Sequence, residues 1–220
     1  MQFEFAGRTA LVTGGRSGIG LGIARGLRRA GATVIVAGLP VDDHHDDLIV
    51  ESLDVTDQLA IDQLASSLQR LDILVNAAGM IRRGDEMDPA VFARVVDVNL
   101  TGAMRMSTAV RPLLAESGGC IVNLASMLSF FGGGQVPSYS ASKGALAQLT
   151  KRWAVQGIRV NAVAPGWIAT PLTQALQDDP LRSATVLSRT PMGRWGTPDD
   201  VAGPVMFLCS PAAAFVTGVV

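Results

Sequence analysis

The sequence predicts an α/β fold, a doubly wound parallel sheet in three α/β/α layers, built as one domain over residues 1–220 with a substrate-covering segment at about 172–195. Short apolar runs alternate with longer stretches of helical periodicity, the order that builds a parallel sheet with crossover helices. A glycine turn joins the first run directly to the first helix. Further turns recur at the carboxyl ends of later runs, where open α/β sheets gather their ligands.

Thr9-Ala-Leu-Val-Thr13 reads as the first strand and runs into Gly14-Gly-Arg-Ser-Gly18-Ile-Gly20, after which Leu21 to Ala30 has helical character. Glycines let a backbone approach a pyrophosphate, which then also faces a helix N-terminus, so Gly14, Arg16, Ser17, Gly18, Ile19 and Gly20 are candidate dinucleotide contacts. Ala32 to Ala37 forms the second strand. A dinucleotide fold usually places an acid on the adenosine ribose about 20 residues beyond the glycine turn. This chain has Gly38 there, which does not repel a 2′-phosphate, and Arg16 can reach one, so both NAD and NADP stay open.

Between Gly38 and Leu48 the chain is too short and too acidic for an amphipathic crossover helix and is expected to be an exposed connection. Its adjacent His44 and His45 diverge and find no second cluster, so no metal site is expected. Leu48 to Leu53 gives the third strand, ending at Asp54-Val55, followed by an amphipathic helix from about Asp57 to Gln69. Asp72 to Asn76 is the next strand, and Asn76-Ala77-Ala78-Gly79 leaves it in a tight turn. A long helical segment then runs from about Pro89 to Ala115. Asn99 lies part-way along it and, taken alone, reads as a surface residue.

Cys120 to Ala125 reads as a buried strand ending in Ser126. Pro137 and Ser138 begin a helix with Tyr139 and Lys143 in its first turns. Residues four apart share a helix face, so the phenol and the ammonium point into one space. A free phenol has a pKa near ~10, and a nearby cation lowers it. Ser126 at the end of the neighbouring strand can hold a substrate oxygen against the phenol. Ile158 to Val163 is the last strand, leading to Pro165-Gly166. The stretch from Leu172 to Arg194 reads as short helices, and Thr197-Pro198-Asp199-Asp200 as an N-capped helix start.

With 48% apolar residues, 17% charged residues and a net charge of −1, the composition gives no reason to expect nucleic acid or an anionic membrane as a partner. No run approaches the length of a membrane span. Cys120 and Cys209 sit in apolar segments without metal-ligand or Cys-x-x-Cys spacing and read as buried free thiols, which favours a reducing, cytoplasmic setting.

Thr13-Gly-Gly-Arg-Ser-Gly-Ile-Gly20, Asp54, Asn76-Ala-Ala-Gly79, Asn99, Ser126, Tyr139-Ser-Ala-Ser-Lys143, Asn161 and Pro165-Gly166 occur together over nearly the whole chain, and in this the sequence resembles the short-chain dehydrogenases/reductases. The resemblance implies a Rossmann fold that binds a nicotinamide dinucleotide and interconverts a secondary alcohol and a ketone. Asn99, Ser126, Tyr139 and Lys143 are then the catalytic set. Tyr139 exchanges the hydroxyl proton, Lys143 holds the nicotinamide ribose and lowers the phenol's pKa, Ser126 orients the substrate oxygen, and Asn99 positions a relay water. Val55, Ala77, Ile168 and Thr170 join the cofactor set, alongside Asp54, Asn76, Gly79, Pro165 and Gly166.

Ala78-Gly-Met-Ile-Arg-Arg83, Ala125-Ser-Met-Leu-Ser-Phe130 and the stretch from Thr173 through Arg182 to Gly193-Arg-Trp-Gly196 are similar to the family's sugar-acid branch. Arg82, Arg83 and Arg194, with Trp195, become candidate substrate contacts, since a guanidinium grips a carboxylate with two hydrogen bonds. The resemblance also implies a homo-oligomer, a tetramer or a dimer. A reductase of 3-oxoacyl thioesters and a dinucleotide-binding relative without turnover are the alternatives. The chain departs from the family pattern in the connection after Gly38, in the segment after Lys143, about one turn short, and at Gly218-Val-Val220, where a last strand is normally completed; these are expected to reflect real shortening or an incomplete sequence.

Overall fold

The computed structural model describes residues 3–41, 46–153 and 157–220. Its centre is a parallel sheet of six strands: β1 (Thr9–Thr13), β2 (Thr33–Gly38), β3 (Ile49–Ser52), β4 (Ile73–Asn76), β5 (Cys120–Leu124) and β6 (Arg159–Val163). They lie side by side in the order β3-β2-β1-β4-β5-β6. Successive strands are added on one side of β1 up to β3 and on the other side from β4 onward, and the crevice at the carboxyl ends of β1 and β4 is the position where such a sheet binds ligands.

The central strands β4 and β5 are buried at every position because helices cover both faces. α1 (Gly18–Arg29) and α8 (Pro198–Cys209) pack on one side, burying Ile23, Leu27, Val201 and Val205 against Val12, Val36 and Val122. α2 (Gln58–Ser67) and α4 (Gly102–Ser117) pack on the other, where Ile61, Met106, Val110 and Leu114 meet Leu11, Leu74 and Ile121. α8 starts as its sequence suggests: Thr197 Oγ1 accepts from Asp200 N–H and Asp200 Oδ2 returns the favour to Thr197 N–H. Cys120 and Cys209 are buried free thiols. Among the described residues no helix is long and apolar enough to cross a membrane.

Several boundaries differ from the expected ones. α1 begins at Gly18 rather than Leu21, so the last glycines of the turn already form its first turn. The long segment after Pro89 is α3 (Pro89–Val96), a π-helical turn over Asp97–Thr101, and then α4. Asn99 sits in that turn and is 1% exposed, so it is not a surface residue. The widened turn swings its amide inward, a common property of π-bulges at functional sites.

β3 is exposed at all four positions, with Ile49 and Val50 facing solvent. His44 and His45 lie outside the described residues, as does part of the connection predicted to be exposed. Beyond β6, Gly218 N–H donates to Val160 O at 2.7 Å and Ala162 N–H to Val219 O at 2.9 Å, so the final segment runs alongside the sheet. Asn161 pins it by donating to Val216 O and accepting from Val219 N–H.

Candidate active site

Two cavities of about 500 and 700 Å³ adjoin along the carboxyl edge of the sheet and share Gly14, Ser17 and Gly79 in their walls. Gly14 approaches the β4 turn so closely that a Cβ there would lie 2.7 Å from Ala78 Cα, and its φ of +65° is one that glycine adopts without strain. Ser17, the N-cap of α1, makes no side-chain cap bond, which leaves first-turn N–H groups of α1 available to an anion. Ser17, Gly18, Ile19 and Gly20 line the first cavity together with Ala77, Pro165, Gly166, Ile168 and Thr170.

Arg16, Gly38, Asp54 and Val55 line the second. Asp54 accepts from Thr56 N–H and Oγ1 and pairs with Arg94 at 3.2 Å, a partner that sequence patterning did not reveal. Burial opposes the charge on Asp54, but the Thr56 and Arg94 bonds outweigh it and hold the carboxyl below its ordinary range. Asn76 is the exception in the cofactor set. Its amide is turned into the core, donating to Ser107 Oγ and Asn123 Oδ1, both at 2.9 Å, so its side chain ties β4 to α4 and β5 instead of lining the cleft.

The first cavity also contains Ser126, Tyr139 and Lys143. Ser126 ends β5 and caps the short turn Met127–Ser129, accepting from Leu128 N–H. Ser129 Oγ in that turn donates to Lys143 O at 2.7 Å, fixing the turn against α5 (Pro137–Trp153). Lys143 is 4% exposed, and its Nζ donates to Leu124 O at 2.6 Å and lies 5.7 Å from the centre of the Tyr139 ring. Burial lowers the Lys143 pKa to about 8. The phenol of Tyr139 is pushed up from its ordinary value, chiefly by burial, with Ser126 pulling it down and Glu86 adding to the rise. The net direction is opposite to the lowering expected from Lys143, because both groups pay for desolvation and the ammonium is committed to Leu124 O.

Asn99 stands behind this set. Its Oδ1 accepts from Met80 N–H at 2.7 Å while its Nδ2 donates to Met80 O and to Ser142 Oγ, clamping the β4 turn to α5. The arginine candidates fare unevenly. Arg82 lines the second cavity, not the one holding Tyr139. Arg194 is bound to Asp200 through both terminal nitrogens, at 2.7 and 2.9 Å, and is a brace for the start of α8. Trp195 donates to Ser183 Oγ and stacks edge-on with Trp167, so it too serves packing. Arg83 remains, and it faces Arg182 on α7 (Pro180–Ser188). Partial burial first, and then the Arg182 charge, lower the Arg83 pKa.

Backbone shaped for phosphates at one end of the cleft and a buried acid–base group at the other meet the needs of hydride exchange with a nicotinamide dinucleotide; the protein is an NAD(P)-dependent oxidoreductase. Residues 14–220 match the family pattern described as enoyl-(acyl carrier protein) reductase. The chain is 42% identical to the 2-dehydro-3-deoxy-D-gluconate 5-dehydrogenase of Pseudoalteromonas atlantica, an alignment that covers 100% of this chain and 95% of the relative. A crystal structure from Agrobacterium tumefaciens with bound NADP, provisionally a 2-deoxy-D-gluconate 3-dehydrogenase, superposes with a TM-score of 0.89 at 42% identity, covering 99% and 95% of the two chains. A gluconate 5-dehydrogenase from Burkholderia cenocepacia in complex with NADP and tartrate gives 0.87 at 35% identity, covering 99% and 94%. The chain belongs to the short-chain dehydrogenase/reductase family.

Proposed function

We propose that the protein interconverts a secondary alcohol and a ketone on a sugar acid, with Tyr139 as the proton-transfer group. The convergence of Ser126, Tyr139 and Lys143 in the cavity that also contains the glycine turn carries this reading. When bound, the nicotinamide ring supplies the hydride acceptor for alcohol oxidation or the donor for ketone reduction. Tyr139 gives its proton to the ketone oxygen as the carbon gains hydride, and takes the hydroxyl proton in the reverse direction. Ser126 holds that oxygen. Lys143 supplies positive charge next to the phenol and a donor toward the cofactor's ribose. Asn99, its amide already committed to Met80 and Ser142, keeps the β4 turn and α5 in register.

Gly14, Ser17 and the first turn of α1 cradle the pyrophosphate, while Gly38, Arg16, Asp54 and Val55 surround the adenosine end. The segment at about 172–195 covers the substrate. Leu172 and Thr173 support this, since they reach into the wall of the first cavity. Arg83 and Arg182 hold the substrate carboxylate between two cations. Their mutual repulsion supports this, because an anion relieves it. The names of the three relatives compared above, each a sugar-acid dehydrogenase, favour the same substrate class. We also place the working protein in the cytoplasm as a homo-oligomer, a setting that suits its two reduced, buried thiols.

The test is turnover of purified protein with NADP or NAD on a panel of keto sugar acids, neutral polyols and 3-oxoacyl thioesters, followed by nicotinamide absorbance. Turnover confined to acidic sugars is the expected result. Turnover confined to thioesters overturns the substrate assignment.

A further inference from the structure

Glu86 is 0% exposed although it lies in the loop between β4 and α3, out of reach of the solvent that a loop carboxylate ordinarily faces. Instead its Oε1 accepts from Arg82 N–H and its Oε2 from Tyr139 N–H, both at 2.8 Å. The first bond closes its own loop. The second crosses 53 residues of sequence to the first turn of α5, whose leading N–H groups have no partner within the helix. A buried carboxylate is costly unless such donors and the positive end of a helix compensate it. A neighbouring bond, Gly84 N–H to Gln135 O at 3.0 Å, holds the same loop to the segment entering α5.

We propose that Glu86 is a positioning residue: by taking one backbone N–H from the arginine loop and one from the tyrosine's own helix turn, its carboxylate makes the substrate wall and the proton-transfer group a single rigid body. A purely local cap would stabilise α5 equally well and would leave the loop free. The bidentate bridge explains why an acid is buried at this point. It also puts a negative charge near the phenol and thereby holds the phenol in its protonated form. The titratable groups that feel its charge are the Tyr139 phenol on α5 and the Arg83 guanidinium on its own loop.

The inference rests on Tyr139 being the acid–base group, and the two are separable. The variant Glu86→Gln keeps the size but offers one acceptor in place of two. It is expected to lower kcat about 10- to 100-fold with KM for the dinucleotide unchanged. Because Tyr139 is the only tyrosine in the chain, its titration is readable by phenolate absorbance, and in Glu86→Gln the midpoint should fall. Glu86→Asp, one methylene shorter, should keep the charge and the tyrosine titration but lose part of kcat. Should Glu86→Gln not fold, hydrogen exchange on the parent enzyme with bound dinucleotide decides: segments 80–86 and 137–143 should open with one common rate. Parental kcat and tyrosine midpoint in a folded Glu86→Gln, or opening rates that differ more than tenfold in the parent, overturn the proposal. Activity surviving in Tyr139→Phe overturns the underlying reading instead, and leaves the exchange result intact.

Discussion

At the scale of single residues, the proposed chemistry rests on two ionisable side chains that the fold desolvates, Lys143 buried and Tyr139 at the cavity wall. Tyr139→Phe removes only the hydroxyl and should lower kcat about a thousandfold while dinucleotide binding, followed by fluorescence titration, stays at the parental level. With the phenol's pKa pushed up by burial, ketone reduction should hold steady at neutral pH and alcohol oxidation should rise into the alkaline range. Lys143 is more informative about stability. Its fall from 10.5 to about 8 corresponds to a cost of about 3 kcal/mol for keeping the buried ammonium charged at neutral pH. Between those two values the unfolded chain binds a proton that the folded chain has released, so stability should increase with pH across that window. Lys143→Met should therefore raise the Tm of the protein at pH 7 while abolishing turnover, checked by scanning calorimetry beside the activity assay. Tyr139 and Lys143 were legible in the sequence because their spacing is local. Glu86 was not, since its partner lies on a different element and nothing in its own neighbourhood is periodic.

Among elements, the loop after β4 and the helix α7 bring the charges of Arg83 and Arg182 against each other, the pair proposed above to take the substrate carboxylate. Arg83→Ala and Arg182→Ala should each raise KM for an acidic sugar about tenfold, leaving KM for the dinucleotide alone; steady-state kinetics with both substrates varied will show it. At the other end, the adenosine site proposed above puts the carboxyl terminus of β2 where a side chain would select between cofactors. A side chain at Gly38 finds only ordinary contacts, with Gly14 Cα at 3.7 Å and Arg16 Cδ at 3.8 Å, so Gly38→Asp should fit. Its carboxylate should repel a 2′-phosphate and shift the NADP-to-NAD preference toward NAD by roughly tenfold, from Coulomb repulsion in a partly screened site. Strands, the glycine turn and the capped start of α8 follow from short-range patterns of apolar spacing and cap residues. The π-turn at Asp97–Thr101 has no such signal: Asn99 is drawn inward by Met80 and Ser142, and those bonds exist only in the assembled fold. For the same reason Arg194, which sequence patterning offers as a carboxylate ligand, turns out to be neutralised by Asp200.

In the molecule as a whole, the sheet is tied at its amino edge by Asp72, which accepts from Thr9 N–H on β1 and grips Arg70 through both oxygens. Burial works against that carboxylate, yet Arg70 and the Thr9 N–H hold its pKa below the ordinary 3.8. Its contribution is thus present above that value and lost as acid takes the pH below it. Asp72→Asn should cost about 1–3 kcal/mol at pH 7, the usual penalty for an orphaned buried partner, and progressively less as the pH falls below the ordinary carboxylate range; urea melts at pH 7 and at a series of acid pH values measure the difference. At one side of the sheet all four residues of β3 are exposed. The half of the cleft bounded there by Gly38 and Leu53, proposed above for the adenosine, adjoins that exposed strand among the described residues. A bulky linker on the adenine ring should find open space beside it, and agarose carrying a nicotinamide dinucleotide through such a tether should retain the enzyme until free cofactor elutes it.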